Sequence, residues 1–114
     1  MGEVMQLDAS QAATFWPIYK EFESELSVIG DQILSLVKDY AAHYDNLTAM
    51  VADQLADKLL TIEQQRTELK RKYYTRFKEA LDALIAARFL QVENQLERLA
   101  DLQIAAELPV TKER

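Results

Sequence analysis

A chain of 114 residues has the length of one domain, and two glycines and two prolines against 49% hydrophobic and 28% charged residues exclude a turn-rich sheet protein. The formal net charge of −6 argues against a nucleic-acid partner, which needs a basic surface, and the absence of cysteine excludes disulfides, thiolate catalysis and cysteine metal sites. The expected class is all-α.

The opening MGEVMQLDAS has neither a basic n-region nor an apolar h-region, so it reads as a lead with no signal peptide. No run of about 20 apolar residues occurs, so no membrane insertion is expected. The first helix start is Leu7-Asp8-Ala9-Ser10-Gln11: Asp8 can accept from the first-turn N–H groups, and Gln11 can reach back to close a capping box. From there a helix is predicted over about Ala9–Tyr44, with an apolar seam at Phe15, Tyr19, Phe22, Leu26, Ile29, Ile33, Leu36 and Tyr40, at alternating steps of four and three. Pro17 is expected to kink it, and Gly30 weakens it by roughly 1 kcal/mol relative to Ala. Asp45-Asn46 ends it.

The starting phrase then returns twice. Leu47-Thr48-Ala49 and Leu81-Asp82-Ala83 repeat the order Leu, capping residue, Ala, each before a new apolar periodicity. A second helix is predicted over about Ala49–Ala80, with its seam at Ala52, Leu55, Leu59, Ile62, Leu69, Tyr73 and Phe77 and with Arg66 where an apolar residue is due. The third, about Ala83–Ala106, uses Ile85, Phe89, Val92, Leu96 and Leu99, with Gln103 late in the seam. Short connections make consecutive helices antiparallel. The expected organisation is a lead over residues 1–8, a single helical domain over residues 9–106 and a loose tail over residues 107–114, since Pro109 cannot continue a helix. Three long seams exceed what one hairpin and a third helix bury well, so the chain is expected to self-associate as a homodimer.

Few residues suggest chemistry. One histidine, His43, without cysteine does not make a usual zinc site, and no HExxH or Glu-x-x-His pair is present; His43 is expected to be a surface or partly packed residue, within reach of Asp39 one turn back. Gly-rich phosphate loops and nucleophile elbows are also lacking, so no enzyme activity, cofactor or metal is expected. Glu21 with Glu25, and Glu93 with Glu97, fall one turn apart and can chelate a hard cation in principle, but solvated helix surface explains them more simply.

Charge is unevenly spread. Residues 1–63 carry three Lys/Arg against eleven Asp/Glu, whereas residues 64–78 carry six against one. Within that basic run Arg66, Lys70, Arg71, Lys72, Arg76 and Lys78 interleave with Tyr73, Tyr74 and Phe77, a pattern that suits an RNA or an acidic peptide, while the aromatic seam suits a groove on a partner helix. The alternative is that these cations pair with Glu21, Glu23 and Glu25 of an antiparallel first helix. Trp16 and Tyr74 lie off the seams and are the aromatic residues expected to face a partner.

Leu7-Asp8-x-x-Gln11 resembles the LTxxQ signature of the Spy/CpxP family of bacterial periplasmic stress chaperones and adaptors, with Asp8 in the place of the motif's Thr and the same capping logic. Thr48 and Asp82 head the two partial repeats. The stretches Phe15 to Tyr19 (FWPxY) and Ala87 to Glu93 (ARFxQxE) look like those of secreted bacterial proteins related to that family. The resemblance implies an exported, ATP-independent helper that forms an antiparallel, cradle-shaped dimer and holds unfolded or misfolded clients on its concave face. Arg66, Lys70, Arg71, Lys72, Tyr74, Arg76 and Trp16 are then the candidate client-binding residues. The alternative is a helical structural or interaction protein that dimerises or docks a single partner.

Overall fold

The computed structural model describes residues 5–107, with side chains described through residue 102. Three helices make up the fold, α1 (Ala9–Ala42), α2 (Ala49–Ala80) and α3 (Ala83–Glu107), and no strand occurs among the described residues. All three begin at the predicted residues, because each is capped by its own sequence. Asp8 accepts from the Gln11 N–H at 2.8 Å while the Gln11 side chain accepts from the Asp8 N–H at 3.1 Å, which closes the capping box. Thr48 Oγ1 accepts from the Val51 N–H at 3.2 Å, and Asp82 Oδ1 accepts from the Ile85 N–H at 2.8 Å.

The α1 helix runs through Pro17 and stops at Ala42, two residues short of the predicted end. There the His43 N–H reaches the carbonyls of Asp39 and Tyr40 at 3.2 Å each, and the His43 ring Nδ1 donates to the Asp39 carbonyl at 2.8 Å. These bonds close the last turn, and residues Tyr44–Asn46 tighten into a 3-10 turn before Thr48 starts α2. Between α2 and α3 only Leu81 and Asp82 intervene, and that forces the antiparallel reversal. Gln103 of the predicted seam has no described side chain, and the tail beyond Glu107 lies outside the described residues.

The molecule measures 55 × 21 × 19 Å. Helix α2 packs along α1 on one side and along α3 on the other, while α1 and α3 meet through large rings. Those rings form the core: Phe15 lies 4.6 Å from Phe77, Phe77 4.7 Å from Phe89, Phe89 5.0 Å from Phe22, and Phe22 5.3 Å from Tyr73. Edge-to-face and offset contacts at these separations add roughly 0.5–1.5 kcal/mol per pair to area burial. Met5 in the predicted lead is fully buried in the same cluster, and Arg88 Nη1 donates to its carbonyl at 3.4 Å.

Burial falls off along the long axis. On α1, Phe15, Tyr19, Phe22 and Ile29 are buried, whereas Leu26, Ile33, Leu36 and Tyr40 are half-buried. Three predicted seam residues are mainly exposed: Leu59 at 41%, Leu96 at 45% and Leu99 at 60%. For Leu59 the reason is length. At 1.5 Å per residue α1 spans about 51 Å and α3 about 37 Å, so among the described residues α3 covers one end of the α1–α2 hairpin and leaves the other end a two-helix layer.

Candidate functional site

Where the three-helix end gives way to the bare hairpin, two cavities open in series. The first, about 500 Å³, lies between α1 and α3 over α2 and has Phe22, Leu26 and Leu96 among its walls. The second, about 530 Å³, continues along the hairpin between Leu36, Val37 and Tyr40 of α1 and Leu55, Leu59 and Ile62 of α2. Ile33, Arg66 and Asp101 line both, so the pair forms one apolar groove along the molecule.

Arg66 marks the junction. Its Nη1 lies 2.6 Å from Glu97 Oε2 and 3.6 Å from Asp101 Oδ2. One turn on, Lys70 Nζ donates to Glu97 Oε1 at 2.8 Å and to Asn94 Oδ1 at 2.9 Å. Burial alone would raise the Glu97 pKa, but the bonds from Lys70 and Arg66 outweigh it and hold the carboxyl below the usual carboxylate range. Thus the seam position where an apolar residue was due carries the pivot of an ion-pair network between α2 and α3.

Glu93, one turn earlier on α3, has the opposite surroundings. It is 5% exposed and lines the first cavity, and Oε1 finds no hydrogen-bond partner among the described residues. Its pKa is raised, first by burial and then by the neighbouring Glu97 carboxylate, with a smaller contribution from Glu23. Tyr19 of α1 is close enough to feel this carboxyl, and its hydroxyl is raised by burial and by the charge of Glu93. The sequence reading of Glu93 and Glu97 as solvated surface is therefore corrected: both turn toward α2 and α1. The signal available was the stripe itself, since Ile85, Phe89 and Glu93 follow at steps of four.

The rest of the basic run is mostly engaged with α1. Lys72 Nζ sits 3.1 Å from Glu25 Oε2, and the Tyr73 hydroxyl donates to the same oxygen. Arg76 makes a two-pronged contact with Glu21 at 2.9 and 3.3 Å, and its guanidinium lies 5.0 Å from the Tyr73 ring centre. Burial, followed by the bond to Glu25, pushes the Tyr73 hydroxyl up to about 12. Lys78 lies 5.9 Å from the Tyr74 ring. Arg71 is exposed and makes no ion pair among the described residues. Trp16, expected at a partner surface, is half-buried, with Phe15 at 4.8 Å and Tyr19 at 5.6 Å edge-to-face; Tyr74 and Leu7 also pack in part on the core. No group of three or more His, Asp or Glu side chains is placed to hold a metal ion among the described residues.

Comparison with protein-family models, curated proteins and solved structures finds no match.

Proposed function

We propose that this protein works by holding other polypeptides, and that the apolar groove rather than the basic run is its holding surface. One observation carries this reading: among the described residues the α1–α2 seam continues past the cover of α3, with Leu36, Val37, Tyr40, Leu55 and Leu59 lining an open groove. Monomeric proteins rarely leave such a stripe uncovered without a use for it. By contrast Arg66, Lys70, Lys72 and Arg76 already have carboxylate partners, which lowers their value for attracting an acidic client.

In its fuller form the proposal is the one implied by the resemblance of the Asp8–Gln11 cap to the LTxxQ signature: an exported, ATP-independent periplasmic chaperone or stress adaptor of the Spy/CpxP type. Self-association belongs to it. A compact 13.1 kDa monomer exposes about 6,400 Å², whereas this chain exposes 7879 Å². The elongated shape, 55 × 21 × 19 Å, accounts for much of that excess, and the uncovered stripe on the α1–α2 hairpin is what supports a homodimer. A docking protein for one fixed partner is the second reading, favoured by the helical spacing of the stripe, which suits a single apolar helix.

The test is suppression of aggregation of a denatured client by the wild type, by Leu59→Glu, and by the triple variant Arg71→Gln/Lys72→Gln/Arg76→Gln. Leu59 is 41% exposed, so the first change leaves the fold in place. Loss of suppression in Leu59→Glu with retention in the triple variant supports the groove; the reverse pattern overturns it.

A further inference from the structure

We propose that the groove selects apolar segments that carry a lysine or arginine, and that this cation seats between Glu23 of α1 and Glu93 of α3. The inference rests on the polypeptide-holding reading and adds the chemistry of what is held.

Charge in the first cavity is unbalanced. Its two cations, Arg66 and Lys70, are taken up by Glu97, Asp101 and Asn94. Glu23 and Glu93 remain, one from each wall, and neither has an ion pair among the described residues. Glu23 is exposed at the rim, while Glu93 is 5% exposed with Oε1 unpartnered. Burial first and the Glu97 carboxylate second add to the cost of ionising Glu93, and Glu23 adds a smaller repulsion. A bound ammonium or guanidinium, reached by a small turn of the Glu93 side chain toward the cavity it lines, would satisfy the orphaned oxygen and relieve that repulsion in one contact. Phe22, Leu26 and Leu96 offer apolar wall for the aliphatic stem of the same side chain and for its apolar neighbours. A segment with a neutral or acidic residue there leaves Glu93 unpaired on binding, and selection against such segments follows from that.

The test uses three labelled amphipathic peptides, each on the order of 14 residues and so about 21 Å of helix, identical but for Lys, Gln or Glu at one central position. Each is titrated by fluorescence anisotropy against the full chain, Glu93→Gln and Glu23→Gln at fixed ionic strength. The Lys peptide is expected to bind about tenfold or more tighter than the Gln peptide, with the Glu peptide weakest, as a charge-assisted bond requires. Glu93→Gln is expected to erase that preference without a lower melting temperature. Glu23→Gln, an exposed change that cannot unfold the core, is expected to reduce it. Equal binding of the Lys and Gln peptides overturns the cation site and leaves the holding reading standing, whereas no binding of any peptide overturns both. Light scattering accompanies the titration: binding that occurs only as a dimer dissociates identifies a second copy as the occupant, and that also overturns the proposal.

Discussion

Replacing Glu97 by Gln removes the one carboxylate that receives both Arg66 at 2.6 Å and Lys70 at 2.8 Å. An exposed ion pair is worth about 0–1 kcal/mol, and breaking a buried one costs about 3–5 kcal/mol. This network lies between those cases. The Arg66 and Lys70 side chains are 13% and 16% exposed, Glu97 is 27% exposed, and Asp101 and Asn94 remain to take part of the load. A loss of about 2 kcal/mol is expected, which lowers the melting temperature of a domain near this size by about 8 °C. The sign with pH follows from the lowered Glu97 pKa. A carboxyl held below its unfolded value contributes stability that is full above the unfolded pKa and is lost as pH falls through the folded one. The gap between wild type and Glu97→Gln is therefore widest at neutral pH and closes as the solution is acidified below the ordinary carboxylate range. Circular dichroism melts at 222 nm across that range make the measurement. Equal melting temperatures at pH 7, or a gap that does not narrow in acid, would refute the network as the clamp between α2 and α3.

Glu93→Gln should behave in the opposite sense. Because the folded pKa of Glu93 is raised, its contribution is fully present below the unfolded pKa and is lost as pH rises through the folded one, so the variant's melting temperature should gain on the wild type as pH rises from about 4.5. Gly30 lies on an exposed turn of α1 and a Cβ there meets nothing within 4 Å, so Gly30→Ala should stabilise by up to about 1 kcal/mol, read as a higher urea midpoint at unchanged slope. Phe22 is fully buried against Tyr73 and Phe89, and Phe22→Ala should destabilise by roughly 3–5 kcal/mol, the largest loss of the set, by the same titration.

The helix starts were legible because a cap is a local object. Asp8 with Gln11, Thr48 with Val51, and Asp82 with Ile85 each close within three residues, and no tertiary partner is needed to place them. The aromatic seam was legible for a related reason, since only a shared face puts Phe15, Tyr19 and Phe22 on one stripe. What a stripe does not encode is how much of it a neighbour covers. Leu96 and Leu99 continue the α3 pattern as regularly as Phe89 does, yet Leu96 lies at the groove wall and Leu99 is 60% exposed without lining it. Glu93 and Glu97 share spacing and residue type and still differ in fate, because Lys70 and Arg66 reach only Glu97. Partner choice within the basic run was likewise settled by packing: Arg66 and Lys70 turn to α3, and Lys72 and Arg76 turn to α1.

Arg66 shows how one residue divides the molecule. On the N-terminal side of α1 the seams of three helices meet and exclude water behind Phe15, Phe22, Phe77 and Phe89. At Arg66 a guanidinium replaces the apolar side chain that a continuous dry core would require, and its partners Glu97 and Asp101 stand on α3 just before the described side chains end. The network ties α2 to α3 here through polar groups, so the dry ring core does not continue through this level. The groove beyond it follows from the shorter reach of α3 along the hairpin, and the polar pivot marks where that cover gives out. An apolar replacement at Arg66 would extend the seam but leave Glu97 and Asp101 without their guanidinium, at a net cost to the fold. The pivot therefore holds α3 in place at the edge of the open surface on which the proposed polypeptide holding depends.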